Sequence, residues 1–376
     1  MNAHPIGCSA QVDEQIAYVK SQGRIHGTKS ALIIGSSTGY GLASRIVAAF
    51  GCEAPTVGVF YERPGAEKRT GTAGWYNTNA FDQRAKEADL AASSINGDAF
   101  SDEIMEQVTE TIRSQSGTVD LVVYSLASPV RTDPATGVTY RSVIKPIGEP
   151  FESFTADPFT GELTTCNISP ATPEEIESTI QVMGGSDWRR WIEHLRNEGV
   201  LAKGVKTVAY SYIGPPSTKP MYRNGTIGRA KVDLEATADG LSEKLSSLDG
   251  SAYISVNKAL VTRASAVIPV VPLYIALLYR AMKAQNIHED CIRQMQRLFA
   301  DRLYSGSAVA VDDEGRIRMD DREMRADIQK EVDDIWQNIE KADLSSVADF
   351  EGYRKAFLQC HGFDVDGVDY EVDVTV

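Results

Sequence analysis

Tyr222 and Lys231 lie nine positions apart in the stretch PMYRNGTIGRAKVDLEATA, from 220 to 238, and are the residue types here best suited to proton chemistry. When hydride is delivered to a carbonyl, or to a double bond conjugated with one, negative charge develops on oxygen. A phenol can hydrogen-bond or protonate that oxygen. A nearby ammonium stabilises phenolate, lowering the tyrosine pKa from its ordinary value near about 10, and can also hold a cofactor ribose. At about 100° per residue, nine positions turn the chain by roughly 900°, so one continuous helix would put the two side chains on opposite faces. Asn224-Gly225 supplies a turn between them, after which Thr226 can cap a helix starting near Ile227.

On that helix Ile227, Ala230, Leu234, Ala238 and Leu241 form the inward stripe, and Lys231 falls inside it. A core-facing lysine is costly unless it snorkels or meets a polar partner. A ribose is such a partner, and Tyr222, on the preceding loop, can then reach back over the same site. The plainer alternative is a snorkelling lysine beside a packing tyrosine.

The elements upstream decide what could lie there. KSALIIGSS (29–37) is an apolar run ending in Gly and Ser, and GYGLASRIVAAF continues at helical spacing. The alternation goes on through APTVGVFYE, NTNAFDQRAKEADL, LAASSINGDAF, SDEIMEQVTETIR and TVDLVVYSLAS. Right-handed crossovers and a mostly parallel, Rossmann-like doubly wound α/β sheet follow. The first turn, GSSTGYG, spaces Gly35, Gly39 and Gly41 so that backbone can approach a pyrophosphate at a helix N-terminus; such a turn can also simply pack helix on strand. Glu62 ends the second strand, where an acid accepts from ribose hydroxyls and repels a 2′-phosphate, favouring NADH. It could equally be a solvated glutamate. Asp98 after the third strand is placed for adenine or for capping a helix, and Leu126 and Ala127 leave the fourth strand where a nicotinamide ribose would lie.

From Pro129 to about Pro170 the alternation gives way to short strands with Thr-Gly turns, read as an insertion at the cofactor-facing edge. TPEEIESTIQVM and SDWRRWIEHLRNEG then read as helices, the second with Trp188, Trp191, Ile192 and Leu195 on one face. A further strand is expected in 204–216, a strand followed by a proline-interrupted apolar helical region in 250–274, helices around 288–304 and 322–342, and a hairpin in AVAVDDEGRIRM turning at Glu-Gly. The run ASAVIPVVPLYIALLY (264–279) reads as buried core or the wall of a greasy pocket. It is shorter than the roughly 18 residues of a membrane span and contains two prolines.

A 376-residue chain that is 42% hydrophobic and 24% charged can bury a substantial core. Its net charge of −14 argues against nucleic acid or an anionic membrane as main partner. Cysteines 8, 52, 166, 291 and 360 form neither a CxxC motif nor a compact disulfide framework. With no basic n-region and apolar run at the N-terminus, the expectation is a cytoplasmic protein. FDVDGVDYEVD lacks the EF-hand spacing and closing Glu, so no metal is expected.

Many segments in order, among them GSSTGYGLASRI, GTAGWYN, GDAFSDEI, VYSLASPVRTDP, DPFTGEL, VMGGSDWRRW, AYSYIGP, YRNGTIGRAK, SVNKALVTRASAVIP and HGFDVDG, resemble the NADH-dependent trans-2-enoyl-CoA reductases. These include the FabV-type enoyl-acyl-carrier-protein reductases and are relatives of short-chain dehydrogenases with Y-x8-K in place of Y-x3-K. The resemblance covers nearly the whole chain, although the N-terminus is shorter than in many members. It implies reduction of trans-2-enoyl-CoA or enoyl-acyl-carrier-protein by NADH in fatty acid synthesis, by a monomer needing no flavin or metal.

By position the resemblance implies Tyr222 as proton donor and Lys231 on the cofactor, with Gly35, Ser36, Ser37, Thr38, Gly39 and Tyr40 around the pyrophosphate. Tyr61 and Glu62 would lie at the adenosine ribose, Asp98 and Ala99 near adenine, Leu126 and Ala127 near nicotinamide, Leu260, Val261 and Thr262 on the cofactor, and Tyr212 on substrate. It also places the tryptophan helix, whose indoles read from their spacing as packing it onto the body, and the proline-broken helix on the acyl-binding side, alongside their packing role. The expected organisation is one NAD-binding unit over 1–376, with an insertion at 129–200 and substrate-side and C-terminal helices at 262–376. A ketone or sugar dehydrogenase and a non-catalytic NAD-sensing module are the rival readings. The absent Y-x3-K and thioester turnover respectively separate them from the first.

Overall fold

Seven short runs of aliphatic and β-branched residues become parallel strands because nearly all are covered on both faces, as crossover connections require. The computed structural model describes residues 2–67, 69–268 and 270–374. The strands are β1 (Ala31–Ile34), β2 (Thr56–Phe60), β3 (Ala92–Asn96), β4 (Val119–Tyr124), β9 (Leu201–Ser211), β10 (Ser251–Val256) and β11 (Arg316–Arg318). They lie in the order β3-β2-β1-β4-β9-β10-β11. Ala31 pairs with Thr56 on one side and Leu121 on the other, so the order reverses between β1 and β4, where open sheets of this type bind ligands beyond their carboxyl ends. Between β4 and β9 come two antiparallel hairpins, β5 (Val130–Thr132) with β6 (Thr139–Arg141), and β7 (Phe151–Ala156) with β8 (Leu163–Ile168). The expected Thr-Gly turns close both, with Gly137 and Gly161 at φ of 72° and 76°.

Alternation along β1 divides the core. Ala31 and Ile33 face one cluster with helices α1 (Pro5–Ser21), α2 (Gly39–Ile46), α3 (Ala73–Glu87) and α9 (Cys291–Arg297). Leu32 and Ile34 face the other, with α4 (Asp102–Gln115), α6 (Ser186–Asn197) and α7 (Thr226–Leu245). A third cluster joins α8 (Val271–Ala284), α10 (Ala326–Gln337) and α12 (Phe350–Gln359) to Tyr222, Ile227 and Leu260. Helices α5 (Pro173–Met183) and α11 (Leu344–Val347) complete the set, and α5 opens on a capping box at Thr172 and Glu175.

Two expectations are corrected. The tryptophan helix α6 is the crossover that covers β4 and β9, not an acyl-side wall. Trp188 and Trp191 are fully buried in the sheet core, their indole N–H groups donating to Thr207 Oγ1 (2.8 Å) and the Ala99 carbonyl (3.0 Å). It therefore belongs to the winding and not to the inserted hairpins. AVAVDDEGRIRM forms no hairpin: Asp312 accepts from the backbone N–H and guanidinium of Arg316, closing a turn that delivers β11 to the edge of the large sheet, parallel to β10. Helix α1, for which the sequence offered no reading, packs on α3 through Arg84, which donates to Asp13 at 2.6 Å and 2.9 Å. Helix α8 begins at Val271 with Pro272 in its first turn, where proline is tolerated, while Pro269 lies outside the described residues.

Candidate functional site

The turn after β1 is tight because nothing larger than hydrogen fits it. A Cβ on Gly35, at φ 89°, would come within 2.3 Å of the Ser125 carbonyl oxygen. One on Gly41 would come within 1.8 Å of the Gly35 carbonyl oxygen. The N–H groups of Gly35 and Ser36 both donate to Val59 O, and Ser36 Oγ turns to the same carbonyl, so Ser36 is a support inside the fold and not a surface for a ligand. The first bond of α2 runs from Leu42 N–H to Thr38 O, at 3.2 Å. Amides ahead of it point out of the helix N-terminus, an arrangement that accepts a pyrophosphate. Thr38 makes no side-chain cap. Tyr40 is corrected: its hydroxyl donates away from the turn, to Lys258 O at 2.8 Å, leaving only its backbone at the candidate pyrophosphate position.

Glu62 is 8% exposed in its side chain, not a solvated acid, and Oε1 accepts from Ser37 Oγ (2.9 Å) and from the Arg263 guanidinium (2.9 Å). Its backbone is clamped by Asn96, which accepts from Glu62 N–H and donates to Glu62 O, each at 2.9 Å. Asn77 donates to Ser37 O at 3.1 Å. Arg263, Asn96 and Asn77 escaped sequence reading because their partners lie on other elements. Tyr61, 79% exposed, offers a free ring beside this acid.

Asp98 is exposed and does not cap α4: Oδ1 accepts from Phe100 N–H, while Ser101 is the cap, accepting from Ile104 N–H. Ala99 is buried in the core beneath. Leu126 lies against Gly35, its Cδ2 3.3 Å from where a Cβ would project, and Ala127 is exposed. Leu260, Val261 and Thr262 follow β10 and cross above the turn, Thr262 Cγ2 lying 3.8 Å from the Cβ position of Gly39. A cavity of about 370 Å³ opens there, lined by Gly39 and Val261 and reaching Gln11 and Arg293; Tyr222 does not line it.

The end of β9 gathers the opening pair. Lys231 Nζ donates to Tyr210 O at 2.9 Å, and two residues on, Tyr212 meets Tyr222 edge to face with centroids 4.8 Å apart. The loop between β9 and α7 thus brings Tyr222 back to the strand that Lys231 touches. Thr226 is not the cap; it is the first residue of α7, and its hydroxyl donates to Val143 O at 2.6 Å, tying the helix to the inserted segment. Gly225 takes the cap position.

Burial lowers Lys231 to about 8, against a smaller opposing pull from Glu235. Tyr222 departs from expectation: burial first, then the negative charge of Glu323, push its phenol well above the ordinary range, and Lys231 is not among the charges acting on it. The lysine is turned to a backbone carbonyl instead. Tyr222 is 8% exposed, and its hydroxyl has no hydrogen-bond partner among the described residues.

The sequence matches three family descriptions: "NAD(P)H binding domain of trans-2-enoyl-CoA reductase" over residues 1–67, "Trans-2-enoyl-CoA reductase catalytic region" over 69–304, and "Enoyl reductase FAD binding domain" over 311–374. It is 56% identical to an enoyl-[acyl-carrier-protein] reductase [NADH] of Flavobacterium johnsoniae, over 99% of this chain and 94% of that one. It is 52% identical to a trans-2-enoyl-CoA reductase [NADH] of Ruminiclostridium cellulolyticum, over 100% and 94%. The fold superposes on Treponema denticola trans-2-enoyl-CoA reductase in complex with NAD at a TM-score of 0.96, with 50% identity and coverage of 100% and 95%. The residues at 311–374 do not fit a flavin. Asp320, Asp321 and Glu323 stand between β11 and α10 where a dinucleotide cradle would need glycines, and their charge opposes a pyrophosphate at that helix entry.

Proposed function

Because the chain belongs to the trans-2-enoyl-CoA reductase family, we propose that it reduces the C2=C3 bond of trans-2-enoyl thioesters with NADH, Tyr222 serving the enolate oxygen and Lys231 the cofactor ribose. NADH supplies the hydride, to C3. What the residues do is hold and charge-balance. With Gly35 and Ser36 shaping the turn, the backbone from Ser37 to Tyr40 would receive the pyrophosphate, Glu62 and Tyr61 the adenosine end, Leu126 and Ala127 the nicotinamide side, and Leu260 to Thr262 the cofactor where they cross above the turn. Asp98 keeps Oδ2 open toward adenine. As the thioester oxygen gains charge, the Tyr222 hydroxyl donates to it, and Tyr212 lines the acyl side. The observation that carries this reading is the unpartnered phenol of Tyr222 at the same strand end as Lys231.

We take the chain as one NAD-binding unit, with the hairpins of the inserted segment and the helices after 262 on the substrate side, acting as a cytoplasmic monomer. Five free cysteines are compatible with a reducing compartment, and no helix among the described residues is long and apolar enough to cross a membrane.

The test is NADH oxidation with crotonyl-CoA, longer enoyl-CoAs and an enoyl-acyl-carrier-protein, repeated with NADPH and with ketone controls. Oxidation with an enoyl thioester and none with ketones is expected; no oxidation with any enoyl thioester overturns the reading. Gly74 gives a test of the acid. A Cβ there would sit 2.2 Å from Glu62 Oε1 and 2.8 Å from Ser37 Cβ, so Gly74→Ala should displace the carboxylate. The NADH KM should rise about tenfold, the worth of one hydrogen bond to a charged group, with kcat nearly unchanged.

A further inference from the structure

Glu323 is fully buried yet belongs to neither member of the opening pair. Its Oε1 accepts from the hydroxyls of Tyr212 (2.9 Å) and Tyr274 (2.7 Å), and its Oε2 from Ala259 N–H (2.7 Å). Every one of these neighbours gives the carboxyl a proton, which is the pattern of an ionised, acceptor-only group. Burial raises the Glu323 carboxyl from its ordinary value, and Lys258, also buried and bonded to Ala259 O at 2.8 Å, opposes that shift with its positive charge. Asp320, facing the same pocket, is held by Arg318.

The protons of the surrounding tyrosines are therefore committed. Tyr274 donates to Glu323 and accepts from Gln329 Nε2 at 3.2 Å, which saturates it in place. Tyr212 has spent its single hydroxyl proton on Glu323 and offers only lone pairs. Tyr222, edge-on to Tyr212, is the third member of the cluster and its hydroxyl is uncommitted.

We propose that Glu323 is a positioning residue: by taking the hydroxyl protons of Tyr212 and Tyr274 it leaves Tyr222 as the one tyrosine of the cluster with a proton to donate. Tyr212 is thereby fixed as an acceptor beside it. This rests on the enoyl reduction proposed above. The charge of Glu323 also opposes phenolate at Tyr222, so the proton stays on that phenol until an enolate oxygen calls for it.

In Glu323→Gln the side-chain carbonyl must face Ala259 N–H, so the amide N–H₂ faces the tyrosines. Tyr212 then accepts, and its own proton is released into the site. The experiment measures NADH affinity by fluorescence titration, and kcat for crotonyl-CoA at saturating NADH from pH 6 to about 10, a regime that reports groups in the bound complex. For Glu323→Gln, NADH affinity should stay within about twofold while kcat falls about tenfold or more. Lowered kcat with unchanged NADH affinity is a split that a general loosening of the fold would not give, because loosening would weaken both.

Glu323→Asp keeps the charge but withdraws it by a methylene, so kcat should fall, by less than in Glu323→Gln. Wild-type kcat across that pH range in Glu323→Gln overturns the proposal. If that variant does not fold, wild-type kcat in Glu323→Asp overturns it, since the hydroxyls would then not need the carboxylate where it stands. A wild-type chain inactive on every enoyl thioester instead overturns the parent reading, so the two failures are distinguishable.

Discussion

Tyr222→Phe is expected to lower kcat by about 10²–10³-fold, the cost of losing one donor aimed at a developing oxyanion, while leaving NADH binding and thermal stability near wild type. The stability half follows from packing. The ring keeps its edge contact with Tyr212 and its place in the third core cluster, and removing a hydroxyl that has no partner among the described residues strands no donor or acceptor there. Stopped-flow or steady-state NADH oxidation, with NADH fluorescence on the same sample, separates the two effects. A phenylalanine variant with wild-type turnover would sink the assignment of Tyr222. A variant that lost turnover and NADH binding together would show that the ring, not its hydroxyl, was the contribution measured.

Lys231→Met is expected to act in the opposite sense on stability. The lysine sits in the apolar stripe of α7 with a single carbonyl as partner, and burial holds it at about 8 instead of its ordinary 10.5. Between those values the unfolded chain keeps a proton that the folded chain has released, so stability rises with pH through that window; below about 8 both states are charged and the penalty is constant. Lys258, lowered to about 8 by burial, adds a second such step. Removing Lys231 should therefore raise or preserve the melting temperature at neutral pH and reduce its pH dependence from about 8 to 10.5. NADH affinity should fall about 100-fold, as when charge-assisted hydrogen bonds to a ribose are lost. Melting curves across pH and NADH titrations check both. A variant destabilised at neutral pH with unchanged NADH affinity contradicts this account.

Much of this arrangement was readable one residue at a time. Glycines at 35 and 41 announce a close backbone approach, and in the fold carbonyl oxygens stand where their side chains would be, while the acid at 62 stands after its strand as expected. Lys231 was visible because a cation in an apolar stripe breaks the helical pattern. What stayed hidden depends on contacts between distant residues. Tyr212 and Glu323 are 111 positions apart, and RMDDREM, at the expected start of a helix near 322, gives no sign of a buried acid until β11 is seen to end beside it. The tryptophan stripe declares that a face is buried, and it is, without saying against what; the acyl-side placement came from the resemblance alone. Only the pairing of β4 with β9 assigns α6 to the sheet. The tuning of Tyr222 was misjudged for a similar reason: proximity to a lysine was inferred, while the direction of its Nζ, toward Tyr210 O, belongs to the tertiary structure.

The clasp at Glu62 shows what such distant contacts do to binding. Its Oε1 already serves Ser37 and, across 201 positions of sequence, Arg263, just beyond the segment that crosses above Gly39. A ribose reaching that oxygen enters a partnership that is already complete, so its affinity is a difference between two sets of bonds rather than the sum of one. Occupancy at the acid and the posture of the 260–263 segment thereby become two readings of a single equilibrium.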